Sequence, residues 1–151
     1  MLRERLTEAL KEAMKAHDKR TVSTVRLTLA ALKDRDIAAR SRGVNEGIGD
    51  EEILQMFQSM IKQRRESISL YEQGGRIELA QQEQEEIVII ERFMPRQMSE
   101  TEVEAAVTEA IAEAGATGIK DMGKVMTVMR ERYAGRMDFA KASAAVKKVL
   151  V

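Results

Sequence analysis

The stretch RQMSETEVEAAVTEAIAEAGATGIKDMGKVMTVMRERYAGRMDFAKASAAVKKVL, residues 96–150, decides the fold. Near its start Ser99 precedes Glu102 by three positions, the spacing at which hydroxyl and carboxylate satisfy each other's backbone donors in a capping box, while Met98 and Val103 supply a hydrophobic staple. A helix therefore begins just after Pro95, the only proline. Val103, Val107, Ile111 and Ala114 recur every three to four residues, and Gly115 follows where a left-handed residue ends a helix. Asp121 is positioned to cap a second helix that runs to about Ala134, before Gly135. Asp138 is positioned to cap a third that ends at the terminus.

Upstream of this unit the same signals predict four more helices. Leu2, Leu6, Leu10 and Met14 fall on one line of a first helix over about 2–17. Asp18 caps a second helix to about Arg42, with Val22, Val25, Leu29, Leu32 and Ile37 on its buried side. GVNEGIG at 43–49 has three glycines and no periodicity, so it reads as a flexible loop; without a preceding strand it is no dinucleotide fingerprint. Asp50, Glu51 and Glu52 open a third helix, where carboxylates meet the positive end of the helix dipole. Its apolar arc is Ile53, Phe57, Met60, Ile61, Ile68 and Tyr71, and Gly74-Gly75 ends it. A fourth, from Ile77 to Phe93, uses Leu79, Ile87, Ile90 and Phe93. Pro95 stops that helix and disfavours helical backbone at the residue before it, making 94–97 a linker. The expected fold is all-α: an N-terminal four-helix domain, residues 1–95, followed by a small three-helix C-terminal domain, residues 96–151.

Composition narrows the chemistry. The 151 residues contain no cysteine, which removes disulfides, thiolate nucleophiles and zinc–thiolate sites. His17 is the only histidine, so one chain assembles neither a histidine metal cluster nor a histidine-assisted nucleophile. No catalytic residue, metal or cofactor is expected. The opening MLRERLTEALKEAMK is charged throughout and lacks the apolar core of a signal peptide, and no run is long enough to span a bilayer. On those grounds the protein is expected in the cytoplasm and away from membranes.

Net charge is zero, yet the charges are segmented. Residues 1–42 carry 11 basic and 6 acidic side chains, residues 43–95 carry 5 and 11, residues 96–119 carry 1 and 5, and residues 120–151 carry 8 and 3. Such blocks either cancel against one another or leave a basic face open to a polyanion. Two helices also place charge inside their apolar arcs, Arg64 on the third and Glu83 and Glu86 on the fourth. Because an unpaired buried charge is costly, Arg64, joined by Arg26, is expected to pair with Glu83 or Glu86 across the interface. The alternative is a polar cleft in which Glu83 and Glu86 act as an acid and base.

GIKDMGK at 118–124 has the glycine and lysine spacing of a phosphate loop. Val125 stands where magnesium needs a hydroxyl, no strand leads in, and Asp121 sets a negative charge where phosphates belong. The better reading is an apolar stripe of Met122, Val125, Met126, Met129 and Tyr133, with Lys124 facing outward. Gly123 costs such a helix about 1 kcal/mol relative to alanine, which close approach by another helix or by an RNA backbone would explain.

DMGKVM at 121–126, GRMD at 135–138 and the VKKVL ending at 146–150 resemble the GatB/YqeY helical domain. That domain occurs as the C-terminal tail of the B subunit of tRNA-dependent amidotransferases and as stand-alone YqeY-like proteins. RIEL at 76–79 and RFMP at 92–95 are similar to the REDL and YLP patterns of the stand-alone group, in altered form. The resemblance covers nearly the whole chain and implies an all-helical fold and a link to tRNA, because the amidotransferase tail is associated with contacts to the tRNA body. It makes Lys120, Lys124, Arg130, Arg136, Lys141 and Lys148 the candidate phosphate contacts. Lys141 and Lys148, seven apart, share the face opposite Phe139, Val146 and Val149. Cations carried on helices contact phosphates and read shape rather than bases.

The function expected is a non-catalytic module associated with tRNA or other structured RNA. A competing expectation is a protein-interaction module that docks on an amidotransferase, an aminoacyl-tRNA synthetase or a second copy of itself. A third is amidotransferase-related carbon–nitrogen ligase activity, with glutamine as amido donor, only where a partner supplies the site. The B subunit's large catalytic domain has no counterpart in this sequence.

Overall fold

The computed structural model describes all residues, 1–151, and is all-α. Its seven helices are α1 (Leu2–Lys15), α2 (Lys19–Ala39), α3 (Asp50–Gln73), α4 (Ile77–Glu91), α5 (Glu100–Ala114), α6 (Met122–Tyr133) and α7 (Phe139–Leu150), with 3-10 turns at Arg40–Arg42 and Ile119–Asp121. There is no strand. The chain divides into two compact units, Met1–Met94 and Pro95–Val151, each with its own apolar core.

In the first unit α3 packs along α4, α1 along α2, and α2 against α4. Leu6, Leu32, Ile53, Met56, Phe57, Ile87 and Ile90 are fully buried between them, and the Phe57 ring meets Phe93 at 6.2 Å. The buried side of α2 differs from the one its apolar residues suggest. Ile37 is exposed and Val22 and Leu29 are half-buried, whereas Thr21, Thr24 and Thr28 are buried beside Val25 and Leu32. For Thr21 and Thr28 the reason lies in the hydroxyl, which for Thr21 meets Asp18 at 2.7 Å. Thr28 donates to the Thr24 carbonyl at 2.8 Å, one turn back in its own helix, which satisfies the polar atom locally and leaves the methyl to pack. On α1, Ala13 is buried in place of Met14, and the helix ends where His17 adopts a left-handed φ of 55°.

The loop 43–49 is pinned rather than flexible. Arg3 grips Asp36 with two hydrogen bonds, 2.7 and 3.0 Å, and donates a third to the Ile48 carbonyl at 3.0 Å. The Ile48 N–H donates to the same Asp36 carboxylate at 2.9 Å, and the Ile48 side chain joins the core. One guanidinium thus ties α1, α2 and the loop together. At Gly47 a side chain would collide with it, since an added Cβ would lie 2.6 Å from Arg3 Nη2.

In the second unit α5, α6 and α7 pack pairwise around Val107, Val125, Met129 and Val146. The capping box closes in both directions: Glu102 N–H donates to Ser99 Oγ and Ser99 N–H to Glu102 Oε1, each at 3.2 Å. Ala106, Ala110 and Ala142 line the helix contacts, where small side chains permit close approach. Val149, expected inside α7, is exposed, and Met137 from the preceding loop is buried instead. Asp138 caps α7 through the Ala140 N–H at 2.9 Å. Asp121, expected to cap α6, instead accepts from the Thr117 N–H at 3.0 Å and holds the short turn that leads into the helix.

Candidate nucleic-acid interface

The C-terminal unit builds its candidate interface from α6, α7 and the turn before α6. Lys120 lies in that turn, Lys124 in the first turn of α6, Arg130 near its end, Lys141 in the first turn of α7 and Lys148 in its last. All five are exposed, and none forms an ion pair. Arg132 differs, because Glu113 of α5 takes its guanidinium. Lys124 and Lys141 sit at the positive ends of their helix dipoles, where a cation costs stability unless an anion offsets it. Asp121 lies near the first of these. Its carboxyl is held below the usual range chiefly by the Thr117 N–H, with Lys124 and Lys120 adding to the effect.

Arg136, the sixth candidate, is placed differently. It is half-buried, its Nε donates to the Arg96 carbonyl at 3.2 Å, and its own carbonyl accepts the Met98 N–H at 2.9 Å. These bonds tie the loop before α7 to the entry of α5, so Arg136 is a joint of the fold as well as a candidate phosphate contact. Nothing in the sequence pattern marked that joint, since these partners lie 40 and 38 positions away. Gly123 is exposed, and nothing lies within 4 Å of where its Cβ would be. Close packing by a neighbouring helix is therefore not the reason for glycine there.

The second constellation lies between α3 and α4. Arg64 Nε stands 3.3 Å from Glu86 and 4.0 Å from Glu83, with side-chain exposures of 13%, 14% and 24% for Arg64, Glu86 and Glu83. The guanidinium also donates to the Met60 carbonyl, while Nε has no acceptor in hydrogen-bond geometry, so the cluster is held by charge rather than by aligned bonds. Arg26 is not part of it. It is exposed on the far side of α2, and the arginine of α2 that reaches α4 is Arg20, 3.3 Å from Glu85.

Two carboxylates share one arginine in this cluster. Burial, then the Glu86 charge, pushes the Glu83 carboxyl above its ordinary 4.5 despite the pull of Arg64. A raised folded-state value means that the folded chain binds its proton more readily than the unfolded one, so this group lowers stability as the pH rises through that window. Glu83→Gln is therefore expected to raise the melting temperature at neutral pH, and the gain should vanish below 4.5. Calorimetry across that range checks it; a loss of stability at neutral pH would show that Glu83 is held as a productive anion.

No group of three or more histidine, aspartate or glutamate side chains is placed to hold a metal ion, and no helix is long and apolar enough to cross a membrane. A family model described as Yqey-like protein matches residues 3–150. Similar curated proteins carry the name "Altered inheritance of mitochondria protein 41, mitochondrial". The one from Eremothecium gossypii is 33% identical over 59% of this chain and 46% of its own length. Those from Lachancea thermotolerans and Vanderwaltozyma polyspora are 29% and 28% identical, over 72% and 78% of this chain and 57% and 64% of theirs. The chain thus spans about half the length of the curated relatives it matches.

These names overturn the cytoplasmic expectation, because the relatives are mitochondrial proteins by name. The physical reading behind that expectation was too broad: a charged, weakly apolar N-terminus argues against a secretory signal and says nothing about delivery to another compartment. With a family match that runs from α1 through α7, the chain belongs to the YqeY-like protein family.

Proposed function

We propose that this YqeY-like protein is a non-catalytic module that binds tRNA or another structured RNA through the outer faces of α6 and α7. In this reading Met1–Met94 is a four-helix domain and Pro95–Val151 a three-helix domain akin to the amidotransferase tail. One observation carries the proposal. Lys120, Lys124, Arg130, Lys141 and Lys148 stay exposed and unpaired after folding, and two of them occupy first helical turns where they oppose the dipole. A phosphate removes that penalty. The open backbone at Gly123, between Lys120 and Lys124, admits a phosphate strand without a side chain in the way. The relatives' names make the mitochondrion the first compartment in which to look for the RNA.

Binding of whole tRNA should weaken about tenfold or more over a fourfold rise in salt if two or three phosphates are engaged. Reversal of Lys120, Lys124 and Lys141 to glutamate should abolish the salt-dependent part while leaving the helical spectrum intact, because all three side chains are in solvent. A filter-binding titration at two salt concentrations measures both effects. Affinity unchanged in the reversed variant rejects the site.

A further inference from the structure

The outward face of α2 carries a pattern that neither the core nor the RNA reading uses. Lys19, Arg26, Lys33 and Arg40 recur every seven residues, which sets a cation about every 10.5 Å along α2 and its closing turn. Thr21 and Thr28 lie about half a turn away around the helix and are buried, so the row points away from the core. All four cations are exposed, and none forms an ion pair. No carboxylate forms an ion pair with them: Asp36 is gripped by Arg3 and feels Arg40 only at longer range, and Asp34 borders the row without pairing to it.

Beside the N-terminal half of the row α1 and α2 form an open hollow. Met14, Val22 and Leu27 make its apolar wall, His17, Lys19 and Arg26 its rim, and no carboxylate lines it. Met14 and Leu27 remain 49% and 51% exposed. A wall this open does not enclose a small molecule, which must bury most of its surface, but it can seat a side chain projecting from a helix laid across it. Methionine adapts its shape to such a guest.

We infer that this face docks an acidic amphipathic helix of a partner protein. Carboxylates at seven-residue intervals on that helix meet Lys19, Arg26, Lys33 and Arg40, and an apolar side chain beside them enters the hollow between Met14, Val22 and Leu27. Two α-helices share one rise per residue, so a heptad of carboxylates stays in register along the whole row. A nucleic acid would use the cations and leave the apolar wall wet. The combination of both features favours the helix.

The test uses the full chain and a fluorescent synthetic helix that bears glutamate at every seventh position beside a leucine stripe. Anisotropy should show saturable binding, with amide shifts confined to the end of α1 and the outward residues of α2. Arg26→Glu/Lys33→Glu should weaken binding at least about tenfold through like-charge repulsion, and Leu27→Ser about tenfold through loss of the anchor wall. Both variants should melt with the wild type, because these side chains are exposed. The same peptide with lysine in place of glutamate should not bind. The inference falls if the glutamate peptide fails to saturate, if the lysine peptide binds equally, or if either variant keeps wild-type affinity. It falls equally if Arg26→Glu/Lys33→Glu loses tRNA binding while its affinity for the peptide is unchanged.

Discussion

Arg64→Leu lowers the stability of the Met1–Met94 unit by about 3 kcal/mol at neutral pH, the low end of the range for breaking a buried ion pair. The substitution keeps an apolar stem between α3 and α4 but strips the only cation from two carboxylates that are 14% and 24% exposed. Their mutual repulsion and their lost hydration then go uncompensated. Part of the loss is relieved by solvent reaching Glu83, which is why the figure sits low in the range. Adding Glu86→Leu and Glu83→Gln to Arg64→Leu should return stability to within about 1 kcal/mol of wild type, since an apolar replacement of the whole cluster removes the charges that needed pairing.

The pH dependence of the single variant follows from the same physics. Without Arg64 the Glu83 carboxyl, already above its ordinary 4.5, loses the charge that pulled it down, so the folded state takes up that proton first on acidification and the deficit narrows as the pH approaches that value. Urea denaturation followed by circular dichroism at several pH values measures it. A deficit that stays constant with pH would mean that leucine packs badly, not that the charges are unpaired.

Gly47→Ala costs about 3 kcal/mol, the sum of a left-handed backbone made to carry a side chain and a disrupted charged hydrogen-bond set. Gly47 has φ +97°, and the added Cβ would stand 2.6 Å from Arg3 Nη2 and 3.1 Å from Asp36 Oδ1. A lone flexible side chain would swing aside cheaply. Arg3 does not, because three hydrogen bonds hold its tip to Asp36 and Ile48. In an Arg3→Ala background the same glycine substitution should cost only about 1 kcal/mol, the backbone share. The double-mutant cycle separates the two contributions, and equal costs in both backgrounds would show that the glycine is not there to clear the arginine. The Arg3 hydrogen bonds also hold the Asp36 carboxyl below its ordinary 3.8, so the clamp's contribution is present above that value and lost as the pH falls through the folded-state one.

Local signals in the chain carried a great deal. Ser99 with Glu102, Asp18 before Thr21, and Gly115 after Ala114 act within four residues of themselves, and each stands at the helix end where its chemistry puts it. Apolar periodicity was less reliable on α2. It assumes that what is buried is apolar, and Thr28 breaks that assumption by returning its hydroxyl to the Thr24 carbonyl of its own helix, while Thr24 is buried with its hydroxyl unpartnered. The charged residues divided along the same line. That Arg64, Glu83 and Glu86 fall inside apolar arcs was legible from spacing, whereas the choice of Arg20 over Arg26 depends on how α2 is rotated against α4. The loop at 43–49 misled for a related reason: its glycines suggest freedom, and only the folded chain brings Arg3 and Asp36 to it.

By itself, then, the sequence determined that this protein is helical throughout and, to within a few residues, where its helices start and stop, because caps and breakers act on backbone groups a few positions away. Tertiary structure alone decided which face of α2 is buried, that Arg132 is taken by Glu113 while Lys120, Lys124, Arg130, Lys141 and Lys148 stay free, and that Arg136 serves the fold. Each of those outcomes rests on partners many residues distant, and a charge or hydroxyl has no settled role until the packing of helices brings its partner within reach.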